Sequence, residues 1–243
     1  MKKIFLPLVI SLGLLNFGCS SNSNQEKIHI SEENGPRTVV GENEDSFKKA
    51  NYFEASKINA QLGVYYLDKG LYKRAKEKLL LSLKQYPEYG PNLTAMAYYY
   101  ERTGDPKLAD QYYTKAVKIS NGNGYVLNNY GTFLCREKKY DQAIAYFNQA
   151  IQDKDYLNSG ESYENAAMCA ENMPNKKLAI NYYEKALQKN PNLQNSLVRL
   201  IRLNYEDKQV AQANQYLDKL KKQVGANNPN YAYLEKLLGK KRS

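Results

Sequence analysis

SKINAQLGVYYLDKGLYKRAKEKLLLSLKQYPEY, residues 56–89, is the stretch that decides the fold. Its register recurs at 90–123, 124–159, 160–193 and 194–227, a period near 34 residues; the third unit has two extra residues, in the turn-like DYLNSG before Glu161. Position twenty is alanine throughout: Ala75, Ala109, Ala143, Ala179 and Ala213. Position twenty-four is large and apolar: Leu79, Tyr113, Phe147, Tyr183 and Leu217. Positions seven and eight pair as Leu62-Gly63, Met96-Ala97, Tyr130-Gly131, Ala166-Ala167 and Leu200-Ile201. Lys69-Gly70 and Thr103-Gly104-Asp105 stand midway, where glycine supplies a left-handed cap to a first helix. A unit this short cannot bury its apolar face alone, so neighbours must stack.

This pattern is similar to the tetratricopeptide repeat. The resemblance implies an all-α, right-handed superhelix, an α-solenoid of about five full repeats plus a capping helix. Each unit is then two antiparallel helices. Small residues at positions eight and twenty let them cross closely, and the large residue at twenty-four fills the space beside the crossing. Asn228–Leu238 restarts the first-helix pattern with Tyr231 and Leu234 in register, so 228–243 is expected to cap a repeat domain running from 46 to 243. Folds of this kind are scaffolds, and the expected role is binding without catalysis.

Composition agrees with a non-catalytic reading. His29 is the only histidine, in a polar segment outside the periodic pattern, which excludes a His-x-x-x-His zinc helix and a Ser-His-Asp triad in the core. No catalytic residue, cofactor or metal site is expected. The net charge of +10 is spread along the chain with no dense basic block before Gly239–Arg242, which reads as a solvated basic surface and not as a nucleic-acid tract. There are 23 tyrosines and no tryptophan; tyrosine's apolar body and polar tip suit helix packing and groove linings.

Residues 1–18, MKKIFLPLVISLGLLNFG, join a basic start to an apolar run too short to span a bilayer, the form of an export signal. Gly18-Cys19-Ser20-Ser21 resembles a bacterial lipoprotein box, although Asn16 and Phe17 stand where a leucine and a small residue are usual. The resemblance implies acylation of Cys19 and, with Ser20 and Ser21 following, sorting to the outer membrane; simple signal cleavage is the alternative. Residues 19–45 are polar and read as a flexible tether.

Only two cysteines remain, Cys135 and Cys169, 34 apart and in the first helices of adjacent units. Neighbouring first helices lie side by side, so the sulfurs either bridge the unit boundary, which an oxidising compartment would allow, or rest as two free core thiols. No histidine or further soft ligand is near enough in sequence to suggest a metal. LNNYGTFLC (127–135) with YDQAIAYFNQAI (140–151), then SYENAAMCA (162–170), resembles the type IV pilus biogenesis lipoproteins of the PilF/PilW family, with Ala167 in place of a usual glycine. That resemblance implies a disulfide between Cys135 and Cys169. It also implies a pilotin: a monomeric, outer-membrane-anchored lipoprotein on the periplasmic face that binds secretin subunits and promotes their localisation and multimerisation. The alternative is another periplasmic repeat-scaffold lipoprotein, an adaptor for outer-membrane assembly or for a protease.

In the tetratricopeptide fold, positions two, five, nine, twelve and thirteen of each first helix line the concave groove. Here these include Lys57, Ala60, Val64, Leu67 and Asp68, then Pro91, Thr94, Tyr98, Glu101 and Arg102. Ala60, Val64, Leu67 and Tyr98, with Thr94 between, form an apolar strip fit for an amphipathic helix; a preceding helix over 46–55, or the tether, is the competing occupant. Asn128 is either a ligand for peptide backbone or a bond to its own scaffold, while Asn129 and Tyr130 are expected to point into the repeat. Glu161, Glu164 and Glu171 are expected on the groove side of unit four. No Lys/Asn carboxylate clamp stands out, so a free C-terminal carboxylate is not the expected ligand.

Overall fold

A computed structural model describes residues 42–239. The leader at 1–18, Cys19, His29 and all of the tether except its last four residues lie outside the described residues. The described residues form eleven helices and no strand.

Five helix pairs follow in order. They are α1 (Glu42–Asp68) with α2 (Tyr72–Gln85), α3 (Gly90–Arg102) with α4 (Pro106–Ile119), and α5 (Gly124–Arg136) with α6 (Tyr140–Gln152). Then come α7 (Ser159–Ala170) with α8 (Lys176–Lys189) and α9 (Gln194–Glu206) with α10 (Val210–Val224). The lone α11 (Pro229–Leu237) packs on α9 and α10. Each second helix also touches the first helix of the next unit, and α1, α3, α5 and α7 stack in sequence.

Local chemistry sets the ends. Asp105, Asn123, Asn175 and Asn228 each accept a backbone N–H of the first turn of the helix they precede. Pro106 and Pro229 sit at the first turn, where a missing N–H costs nothing. The turn inside each of units one, two, three and five places position fifteen in the left-handed region: Gly70, Gly104, Lys138 and Lys208, with φ of 72°, 81°, 60° and 61°. In unit four that position is Pro174, whose ring forbids positive φ.

The core repeats as the sequence repeats. The five position-twenty alanines and the five position-twenty-four residues are all buried. A Cβ on Gly63 would stand 2.5 Å from Leu79 Cγ, and one on Gly131 would stand 2.9 Å from Phe147 Cε1, so position eight is small because position twenty-four of the same unit lies on it. Positions three and ten of units two to five are buried against the unit before; in unit one the same positions, Ile58 and Tyr65, are exposed. Tyr231 and Leu234 of α11 are buried on Leu197, Ile201, Leu217 and Leu220, in the register expected of a cap.

One boundary differs from the expectation. Residues 42–55 are not tether followed by a separate helix; they belong to the same 27-residue helix as unit one. Phe53 packs edge-on against Tyr86 and Tyr89, ring centroids 5.0 Å away in each case, which ties this extension to the loop between α2 and α3. Ser56 Oγ, fully buried, donates to the Phe53 carbonyl and accepts from Asn92 Nδ2, linking α1 to α3.

Candidate functional site

The concave side of units one to three carries a groove of about 590 Å³. Lys57, Ala60, Val64 and Asp68 of α1 form one wall, four residues spaced at one helical face. Pro91 and Ala95 of α3 form the floor, and Tyr89, Asn123 and Tyr125 close the end nearest the next unit. Most of the exposed lining is apolar carbon, while the two ends of the α1 wall differ in charge. Lys57, ion-paired with Glu54 at 3.0 Å, stands at one end and Asp68 at the other. At 1.5 Å rise per residue these lie about 16 Å apart, a span of about three helical turns.

Of the residues expected here, Ala60 and Val64 line the groove. Tyr98 stands just beyond its Asp68 end: its hydroxyl accepts from Arg102 Nη1 at 2.8 Å and lies 3.5 Å from Asp68 Oδ1. The bond to Tyr98 raises the Arg102 guanidinium above its ordinary pKa. Arg102 also meets Asp68 at 3.6 Å and covers the Tyr98 ring, so this rim is a closed polar set.

Three expectations are corrected. Leu67 is 0% exposed and lies in the core of units one and two, not in the groove. Its position twelve faces position twenty-four of its own unit, and with Leu79 there the two side chains close on each other. Thr94 is 2% exposed, packed beneath the groove surface, and the neighbouring Ala95 takes the lining place. Asn128 takes the second of its two expected roles, a bond to its own scaffold: its Oδ1 accepts from Ser162 Oγ at 2.8 Å and Asn165 Nδ2 at 3.1 Å, fastening α5 to α7. Tyr130 is buried, as expected, but Asn129 turns back to its own helix and donates to the Tyr125 carbonyl at 2.7 Å.

The acidic side chains of unit four are likewise engaged in the scaffold. Glu161 accepts from Asn190 Nδ2 at 3.1 Å and Glu164 from Ser196 Oγ at 2.7 Å. Glu171 accepts from the Tyr183 hydroxyl and from Arg199 at 3.3 Å. Glu101 plays the same part in unit two, held by Arg136 and reached by the Tyr113 hydroxyl at 3.4 Å. Burial, then the Glu101 charge, pushes the Tyr113 phenol above its ordinary range; burial, then the bond to Glu171, does so for Tyr183.

Cys135 and Cys169 are bonded in the structure, their Cα atoms 5.7 Å apart. With the Asn128 bonds two turns earlier on α5, this fixes α5 against α7 along most of its length.

Tyr125 was legible as a groove residue and was missed. It stands at position two of its unit, in register with Lys57 and Pro91. Tyr89 and Asn123 carry no such signal, because they lie in turns between units.

Three stretches, 91–123, 125–152 and 160–193, match the tetratricopeptide repeat model. The type IV pilus assembly protein PilF of Pseudomonas aeruginosa is 33% identical over 174 residues, covering 72% of this chain and 69% of PilF. An uncharacterised Haemophilus influenzae protein is also 33% identical, over 125 residues that cover 51% of this chain and 70% of that protein. The solved structure of P. aeruginosa PilF superposes with a TM-score of 0.68 at 30% identity, covering 78% of this chain and 87% of that one. The structure of PilW, described as a widely conserved type IV pilus biogenesis factor, gives 0.65 at 24% identity, covering 76% and 86%. The tetratricopeptide solenoid read from the sequence is the fold of these structures, and the chain belongs to the PilF family of tetratricopeptide-repeat proteins.

Proposed function

We propose that this chain is a pilotin of type IV pilus biogenesis. It binds a secretin subunit through the groove of units one to three, and its role is binding, without catalysis. The observation that carries the reading is an apolar groove bounded by the Lys57–Glu54 and Asp68–Arg102 ion pairs, in a chain of the PilF family. The secretin segment that fits is one amphipathic helix of about three turns. Its apolar stripe meets Ala60, Val64 and Ala95. Acylation at Cys19 would hold the protein on the periplasmic face of the outer membrane and carry the subunit there.

The test is the state of the secretin in cells lacking this protein, read on an unboiled gel of fractionated membranes. Loss of the multimer, or its retention in the inner membrane, with recovery on return of the wild-type gene but not of Val64→Glu, is the expected result. An unchanged secretin ring would overturn the reading. Intact mass of the mature protein, wild type against Cys19→Ser, tests the acyl anchor separately.

A further inference from the structure

Helix α2 differs from the other second helices on the side that faces away from the core. Leu80 and Leu81 are 49% and 38% exposed. They hold positions twenty-five and twenty-six of unit one. In the other units those positions carry Thr114 and Lys115, Asn148 and Gln149, Glu184 and Lys185, and Asp218 and Lys219. So the outer wall is polar at this height in four units and aliphatic in the first alone.

The same helix carries five basic side chains, Lys73, Arg74, Lys76, Lys78 and Lys84, against one acid, Glu77. The corresponding α6 has Asp141 and no basic residue. At 100° per residue, Tyr72, Lys76, Leu80, Lys73, Lys84 and Leu81 fall on one half of the cylinder, with Leu83, packed against the core, at its Tyr72 edge. Ala75, Leu79 and Ser82, the buried residues, occupy the other half. Glu77 lies within the outer half as well. Tyr72 is itself 42% exposed, and among the described residues Lys73, Lys76 and Lys84 have no ion-pair partner.

We propose that this outer face of α2 lies on an anionic lipid surface. Lysines among exposed leucines and a tyrosine are the chemistry of an interfacial helix: cations meet headgroup phosphates while aliphatic and phenol side chains enter the headgroup–acyl boundary. Nucleic acid fits the lysines but offers nothing to Leu80 and Leu81. A protein helix would seek a concave seat, and this face is convex. The consequence is orientation. With α2 on the lipid, α1 and α3 turn the groove away from the membrane, open to a partner arriving from the aqueous side.

The test uses residues 41–243 with the disulfide intact. The four core clusters of the described residues and the bridge lie within them. This stretch also lacks Cys19, so the result is independent of acylation and of the pilotin reading. Co-sedimentation is measured with vesicles of phosphatidylcholine alone and of phosphatidylcholine with phosphatidylglycerol. The expected result is binding to the anionic vesicles only, weakened by salt. Lys73→Glu with Lys76→Glu lowers it at least about 25-fold, from about fivefold per cation near the surface. Leu80→Asn with Leu81→Asn lowers it at least about tenfold, since both leucines lose their apolar contact. These sites are exposed, and unchanged thermal melts verify that the variants fold. A wild-type domain that ignores anionic vesicles would leave the face to an acidic protein partner and overturn the proposal. So would vesicle binding unchanged in both variants, or binding lost with the lysines and indifferent to the leucines, which would be diffuse attraction without an inserted face.

Discussion

Positions twelve and twenty-four meet in units two and four, where a carboxylate stands beside a tyrosine. Glu101 is reached by the Tyr113 hydroxyl and Glu171 by the Tyr183 hydroxyl, while Leu67 and Leu79 share one buried cluster in unit one. The hydroxyl is present at twenty-four where twelve supplies a carboxylate to receive it, because a buried phenol without a partner costs free energy. Two neighbours on α1 are expected to respond oppositely to the same change. Val64→Glu places a carboxylate at a half-buried lining site and leaves the fold intact. Leu67→Glu buries an unpaired charge against Leu79 and costs more than about 4 kcal/mol; urea unfolding of the two variants side by side checks this. The tyrosine pairs give a second outcome, set by pH. Both phenols have raised pKa values in the folded state, above the ordinary 10.0. Their contribution is therefore complete below about pH 10, the unfolded value, and is lost as pH rises beyond it. The Tyr113→Phe, Tyr183→Phe double variant is less stable than wild type near neutrality, and the difference narrows in alkali. Urea midpoints taken on both sides of pH 10 would show the two curves converging.

Helix ends carry the next level of design. Three of the described turn residues other than glycine have positive φ, and two of them, Lys138 and Lys208, occupy the position that Gly70 and Gly104 hold in units one and two. A side chain in this region is held at a cost of order 1 kcal/mol. The turn survives because the following backbone bonds are kept, Lys139 N to Leu134 O at 2.9 Å and Gln209 N to Asn204 O at 2.8 Å. Lys138→Gly and Lys208→Gly are each expected to stabilise the chain, by up to about 1 kcal/mol once the added freedom of the unfolded glycine is set against the relief. Gly104→Lys should cost a similar amount. Thermal melts of the three variants test the equivalence of these turns.

The whole array is stapled near its centre. The largest buried cluster of the described residues runs from unit two to unit five, and units three and four at its middle are joined by the bridge from Cys135 to Cys169 and the Asn128 bonds. Between units four and five the first helices are joined by polar contacts, Glu164 with Ser196 and Glu171 with Arg199, while α8 against α9 supplies the apolar packing. Closing a loop of 34 residues stabilises by about 3–4 kcal/mol in the chain-entropy model. The paired replacement Cys135→Ala, Cys169→Ala is expected to lower stability by that order while the groove of units one to three keeps its shape. Intact mass with and without reduction, a difference of about two hydrogens, establishes the bridge in the isolated protein. A free-thiol chain with undiminished stability would contradict it.

The repeat period, the small residues at eight and twenty and the large one at twenty-four were enough to read the fold from the sequence, because each encodes a contact inside one unit or with the next. The cap was legible for the same reason. The groove was legible only in part. Lys57, Ala60, Val64 and Asp68 follow from register on one helix face. Leu67 and Thr94 share that register yet are buried, since exposure at those positions depends on what stands opposite: Leu79 across the pair for Leu67, the packing of adjacent units for Thr94. The extension of α1 to Glu42 was not legible either. Its polar composition gives no amphipathic signal, and its hold on the domain comes from Phe53 lodging between Tyr86 and Tyr89, more than thirty residues away. Periodicity determines which residues of a solenoid face inward within a unit; only the neighbour each unit meets decides which of them still reach solvent.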